Sequence, residues 1–133
     1  MVFGNPMAHS PRILIVSADA QFEFMRAGVE ARGFEVTLAH DHEGAYRCLL
    51  ESSFDLVVID VAQAPRDIEF IQRLRVTPKL SKTFVLALGE WGTGQPTVAL
   101  AQGADAYEPR PVNTERLVAA VERVLRPELA VAE

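Results

Sequence analysis

Residues Ile13 to Val16 form an unbroken apolar run, and a run without polar alternation suits a strand buried on both faces. The next segment, Ala20 to Arg32, changes period. Phe22, Met25 and Val29, with Phe24 nearby, fall at helical spacing, Asp19 stands where a cap belongs, and Gly33 stands where a helix ends. The alternation continues down the chain: Phe34 to Ala39 reads as a strand, His42 to Glu51 as a helix capped by Asp41, and Phe54 to Asp60 as a strand. A third helix is expected from Asp67 to Val76, with Ile68, Ile71, Leu74 and Arg75 at helical spacing and Pro78 as its stop. Thr83 to Leu88 reads as a fourth strand. The loop GEWGTG then leads into a short helix from Pro96 to Gln102 that ends at Gly103. Ala106 to Glu108 reads as a short fifth strand, and Asn113 caps a last helix through Leu125 with Leu117, Ala120, Val121 and Val124 as its buried stripe.

Strands alternating with helices in this way imply right-handed crossovers and an α/β fold: a doubly wound, five-stranded parallel sheet with five helices covering both faces. The 133 residues match one domain, expected over 12–126, with residues 1–11 as a flexible N-terminal extension and 127–133 as a tail. With 49% apolar and 23% charged residues the chain is not a disordered or low-complexity one. A net charge of −5 without any run of five like charges argues against nucleic-acid binding through phosphate neutralisation. The single Cys48 lies among small and apolar neighbours and is expected to be a buried, inert thiol, which fits a reducing compartment. No stretch approaches the ~20 apolar residues of a membrane span, and residues 1–11 lack the apolar run of a signal segment, so the protein is expected to be cytoplasmic without membrane contact.

In an open parallel sheet the functional crevice lies beyond the carboxyl ends of the strands. Those ends are Ser17-Ala18-Asp19, Asp60, Gly89-Glu90 and Arg110-Pro111. Competing chemistries find little support. In His40-Asp41-His42 neighbouring side chains point apart and no third metal ligand is indicated, so it reads as a solvated strand-to-helix junction. Ser17 has no histidine partner at a strand end for a hydrolase triad. Neither GxGxxG nor a P-loop follows the first strand, and three glycines in the six residues around Thr93 read as a flexible turn.

From RILIVSAD through FDLVVID and FVLALG to GADAYEPRP and the final helix, the chain resembles the receiver domain of two-component response regulators, a flavodoxin-like fold. The string GADAYEPRP is the most specific part, placing Gly103, Tyr107 and Pro111 together in family order. The resemblance implies that Asp60 stands at the phosphoacceptor position, Tyr107 at the switch aromatic, and Pro111 at a proline commonly preceded by a cis peptide. It also implies Mg²⁺ bound by that aspartate with an acidic pair, a Thr or Ser after the fourth strand, and a Lys before the proline.

Here the acidic pair is Ser17 and Ala18, the hydroxyl position is Gly89, and the lysine position is Arg110. Mg²⁺ needs oxygen ligands, usually including one or two carboxylates, and Ala18 supplies none. Asp19 is one step displaced and suits a helix cap. Asp60 and Arg110 sum to zero charge, and a guanidinium can take a carboxylate through two hydrogen bonds, so Arg110 is expected to hold Asp60 in place of metal and lysine. The expectation is an atypical receiver acting as a protein-interaction module, not an enzyme, with no cofactor and at most weak Mg²⁺ at Asp60 and Asp19. A phospho-accepting receiver charged by a histidine kinase is the alternative. The 14 residues from Trp91 to Ala104 carry no charge, which marks Trp91, Val98 and Leu100 as candidates for contact with a protein partner or a second copy. The partner is expected to be a histidine kinase or a downstream signalling protein.

Overall fold

The computed structural model describes residues 10–63, 65–90, 94–110 and 112–126. Along the chain run β1 (Arg12–Val16), α1 (Gln21–Glu30), β2 (Glu35–Ala39), α2 (His42–Glu51), β3 (Leu56–Asp60), α3 (Arg66–Val76), a 3-10 turn (Pro78–Leu80), β4 (Phe84–Gly89), α4 (Gln95–Ala101), β5 (Ala106–Pro109) and α5 (Thr114–Leu125). Among the described residues all strand pairings are parallel, and the sheet order is β2-β1-β3-β4-β5. The order reverses between β1 and β3, which opens a crevice above their carboxyl ends. Among the described residues no helix is long and apolar enough to cross a membrane.

Strand alternation divides the core. Leu14, Val16, Val57, Ile59, Val85 and Ala87 face the layer of α2, α3 and α4, where Leu49, Ile71, Leu74 and Ala99 complete one cluster. Ile13, Ile15, Leu56, Val58, Leu86 and Leu88 face α1 and α5, where Phe22, Val29, Leu117 and Val121 complete the other. That two-sided burial is why these strands read as unbroken apolar runs. By the same alternation Tyr107 falls on the α4 side, and Glu108 falls on the α5 side, paired with Arg116 at 3.3 Å and Arg123 at 3.0 Å.

Asp41 and Asn113 cap as expected, accepting the amides of Gly44 and Arg116. Gly33 and Gly103 adopt φ of +94° and +127°, the left-handed region that ends a helix cheaply only for glycine. Asp19 likewise caps the start of α1 with its side chain, which accepts the amide of Gln21 across Ala20, a residue already helical in φ and ψ. Other expectations are corrected. Phe24 is 83% exposed, because helical phase turns it opposite to Met25 and Phe22. Cys48 is half-buried at the edge of the core. Arg75 does not belong to an apolar stripe; its guanidinium donates to the carbonyls of Ser81, Thr83 and Gly103 and pairs with Asp105 at 2.8 Å, tying α3 to the turns before β4 and β5.

Candidate functional site

Of the described residues, the buried polar or charged ones are Ser17, Asp60 and Asp67. All three line a cleft of about 170 Å³ above β1 and β3, together with Ala18, His40, Asp41, His42, Gln63 and Arg66. Burying such groups is tolerated only when they are hydrogen-bonded, so their partners define the site.

Asp60 ends β3 in register with Leu88 of β4. Its Oδ2 accepts the Ser17 hydroxyl at 2.7 Å, and Ser17 Oγ in turn accepts the amide of Asp19 at 3.0 Å. Its Oδ1 accepts Arg110 Nη1 at 2.5 Å. Arg110 leaves the end of β5, where its own amide donates to the Gly89 carbonyl at 2.8 Å. The expected two-point grip on the carboxylate is not formed: Arg110 Nη2 donates instead to the Val61 carbonyl at 3.1 Å and approaches Glu90 at 3.7 Å. The guanidinium lies across the end of β3, so its second nitrogen meets main chain and not Oδ2, which Ser17 already holds.

These residues do not fit a divalent cation in the manner of the family. Both Asp60 oxygens are engaged, one of them by a cation, and Ala18 adds no side-chain oxygen. Asp19 is exposed and turned toward its own helix. Hydrogen bonds from the backbone and then the side chain of Gln21 hold its carboxyl below the ordinary value. Among the described residues no three His, Cys, Asp or Glu side chains converge as metal ligands.

The structure thus brings together Ser17, Asp60 and Arg110, with Gly89 and Tyr107 beside them. Val98 and Leu100 lie on α4, each about half exposed (47% and 46%). Trp91 and Pro111 lie outside the described residues. Two groups were missed. His42 is not a solvated junction residue: its Nε2 lies 2.7 Å from Asp67 Oδ1 and its ring stacks on Phe70 at 4.6 Å, while Asp67 Oδ2 accepts the amide of Gln63. Gln95 and Glu90 were missed as partners of Tyr107, whose hydroxyl lies 2.5 Å from the Glu90 carbonyl and 2.6 Å from Gln95 Oε1. No local signal marks contacts between residues so far apart in the chain. Burial, with Glu90 adding and Arg110 opposing, pushes the Tyr107 phenol up to about 12.

A parallel sheet of this order, with an aspartate at the end of β3 and a basic residue leaving β5 to meet it, defines a receiver-type signalling fold. The comparisons agree. The chain is 36% identical over 118 residues to the transcriptional regulatory protein CpxR of Escherichia coli K12, covering 86% of this chain and 49% of that one. It is 34% identical over 120 residues to the phosphate regulon transcriptional regulatory protein PhoB of Rhizobium meliloti, covering 87% and 52%. Among solved structures, the signal receiver domain of a signal transduction histidine kinase from Syntrophus aciditrophicus matches with a TM-score of 0.76 and 26% identity over 87% of this chain and 90% of that one. The chemotaxis response regulator CheY4 of Vibrio cholerae shares the fold, with a TM-score of 0.77 at 24% identity over 86% and 98%. No protein-family model matches the chain. The chain belongs to the receiver domains of response regulators, and it spans about half the length of the two transcriptional regulatory proteins it matches.

Proposed function

We propose that this receiver domain is an atypical one, a signalling interaction module whose Asp60 works as a paired structural carboxylate with little Mg²⁺-dependent phosphorylation. The observation that carries this reading is the double engagement of Asp60 by the Ser17 hydroxyl and the Arg110 guanidinium. Phosphoryl transfer is mostly positioning and charge stabilisation, and the attacking oxygen must be free to meet the phosphorus. With Oδ2 held by a donor and Oδ1 by a cation, each oxygen already has one acceptor site committed and its nucleophilicity lowered, and the two positions that would gather a metal hold Ser17 and Ala18, which carry no carboxylate. On this reading the domain is not an enzyme and needs no cofactor. Mg²⁺ is expected to bind no tighter than about millimolar, since each tenfold of affinity is about 1.4 kcal/mol and carboxylate ligands are missing.

Its partner is a protein, a histidine kinase or a downstream signalling protein, or a second copy, met through the uncharged α4 region where Val98 and Leu100 are half exposed. The net charge of −5 supports protein contact over nucleic-acid contact by this domain. The relatives are named as transcriptional regulators, so control of transcription is the process we propose for the pathway it serves.

The test is phosphorylation by acetyl phosphate with Mg²⁺. The parent should react slowly, the Ser17→Asp, Ala18→Asp double variant about tenfold faster or more, and Asp60→Asn not at all. Rapid Mg²⁺-dependent phosphorylation of the parent would instead support the second reading, a phospho-accepting receiver. The retention of Asp60 at the end of β3 favours that reading.

A further inference from the structure

Gly89 closes β4 beside Asp60, and the space above its α-carbon is already taken. A Cβ there would lie 2.1 Å from Gln95 Oε1 and 2.5 Å from the Tyr107 hydroxyl. What fills the space is a hydrogen-bonded ring joining three elements. Gln95, the first residue of α4, accepts the amide of Glu90 at 3.0 Å through Oε1. The Tyr107 hydroxyl, from β5, shares its one proton between that same oxygen and the Glu90 carbonyl. The tyrosine ring packs against the core cluster under α2, α3 and α4. Swinging it outward would therefore expose apolar surface and strip polar groups of their partners at once.

None of these contacts involves Asp60, Ser17 or Arg110. Arg110 reaches the Glu90 carboxylate only at 3.7 Å, whereas the ring uses the main chain of Glu90. The glycine is part of the arrangement, because any side chain at position 89 would displace the amide of Gln95.

We propose that Gln95 is a clasp: it holds Tyr107 inward and the first turn of α4 against the end of β4 whatever the state of Asp60, so that the Val98 and Leu100 face is presented in one fixed arrangement. The inference rests on the reading of this domain as an interaction module and gives that reading a mechanical cause. A receiver that switches must let its α4 end move, and this one ties that end down with contacts its phosphoacceptor position does not touch.

Amide hydrogen exchange by NMR on the full chain tests the clasp. Gln95→Met keeps the length and removes the acceptor, and the Glu90 amide should exchange about tenfold faster than in the parent, the worth of one ordinary hydrogen bond. The Arg110 amide, bonded to the Gly89 carbonyl, should stay unchanged and so report that the variant remains folded. Acetylation of Tyr107 by N-acetylimidazole, read by mass spectrometry, should accelerate in parallel. Gln95→Glu, which keeps an oxygen at the same place, should restore both, and Asp60→Asn should leave both as in the parent. Equal Glu90 exchange and Tyr107 labelling in Gln95→Met and parent would overturn the clasp, as would release by Asp60→Asn. Failure of the wider reading looks different: the parent would phosphorylate rapidly while the exchange pattern held.

Discussion

A buried carboxylate is stable only when both of its oxygens have partners, and Asp60 has one hydroxyl and one guanidinium. Ser17→Ala would leave Oδ2 without a donor and should cost about 1–3 kcal/mol in a denaturant titration. Arg110→Ala would strand the charge itself. The loss should be roughly 3 kcal/mol, at the lower end for a broken buried pair because a quarter of the Arg110 side chain is exposed. Replacing Asp60 by Asn should be milder than Arg110→Ala, since the amide oxygen can still accept and the guanidinium that loses its counter-ion is a quarter exposed and close to Glu90. Tyr107 supplies a pH-dependent test. Its phenol titrates at about 12 in the fold and near 10 when unfolded, so the native state binds the proton more tightly. The stability this provides is complete below pH 10 and is lost as pH rises toward 12. Urea midpoints of parent and Tyr107→Phe should therefore converge or cross over that window and run parallel below it.

Helices in this domain are placed by what their inner faces meet, and one pair meets unusually closely. A Cβ at Gly28 of α1 would lie 2.2 Å from Cγ2 of Thr114, the first residue of α5. Gly28→Ala should gain about 1 kcal/mol of helix propensity and lose about 1–3 kcal/mol to overpacking, a net destabilisation. Adding Thr114→Ser removes the colliding methyl, and the double variant should recover to the parent midpoint or above it. A double variant no better than the single would mean that the helices do not approach through this contact. At the other end of the fold, Arg75 joins α3 to the turns before β4 and β5 through three carbonyls and Asp105. It is a packing tie and not a docking charge.

Across the whole molecule, the cleft above β1 and β3 and the α4 face are separate surfaces joined through the end of β4. Leu100→Glu places a charge on the half-exposed part of α4 and should weaken self-association or partner binding. Sedimentation and pull-down would show this, while Asp60→Asn should leave binding close to parental. Equal binding by folded Leu100→Glu and parent would put the interface elsewhere. The same layout sets a condition on rebuilding a phosphorylation site. Adding Gly89→Thr to the Ser17→Asp, Ala18→Asp pair should help only when Gln95→Ala and Tyr107→Phe are added too, because the threonine Cβ competes for one space with both the Gln95 amide and the Tyr107 hydroxyl.

Much of this was legible in residue order because it depends on near neighbours in the chain. Unbroken apolar runs at Ile13 to Val16 and Leu56 to Ile59 announced strands buried on both faces, Asp41 and Asn113 announced helix starts, and Gly33 and Gly103 announced ends. The convergence of Ser17, Asp60 and Arg110 followed from their places at strand ends, since a parallel sheet delivers all such ends to one edge. What tertiary structure alone decided was how side chains at that edge divide their hydrogen bonds. Arg110 gives one nitrogen to Asp60 and the other to the Val61 carbonyl because Ser17 already holds the second oxygen. His42 turns inward to Asp67 because α2 and α3 bring their first turns together over the cleft. Gln95 closes on Tyr107 because a glycine, which reads in sequence only as an absence, leaves room for an amide from the next helix. Periodicity reports which face a residue occupies, whereas partner choice depends on distances between side chains on different elements, which only the packed chain sets.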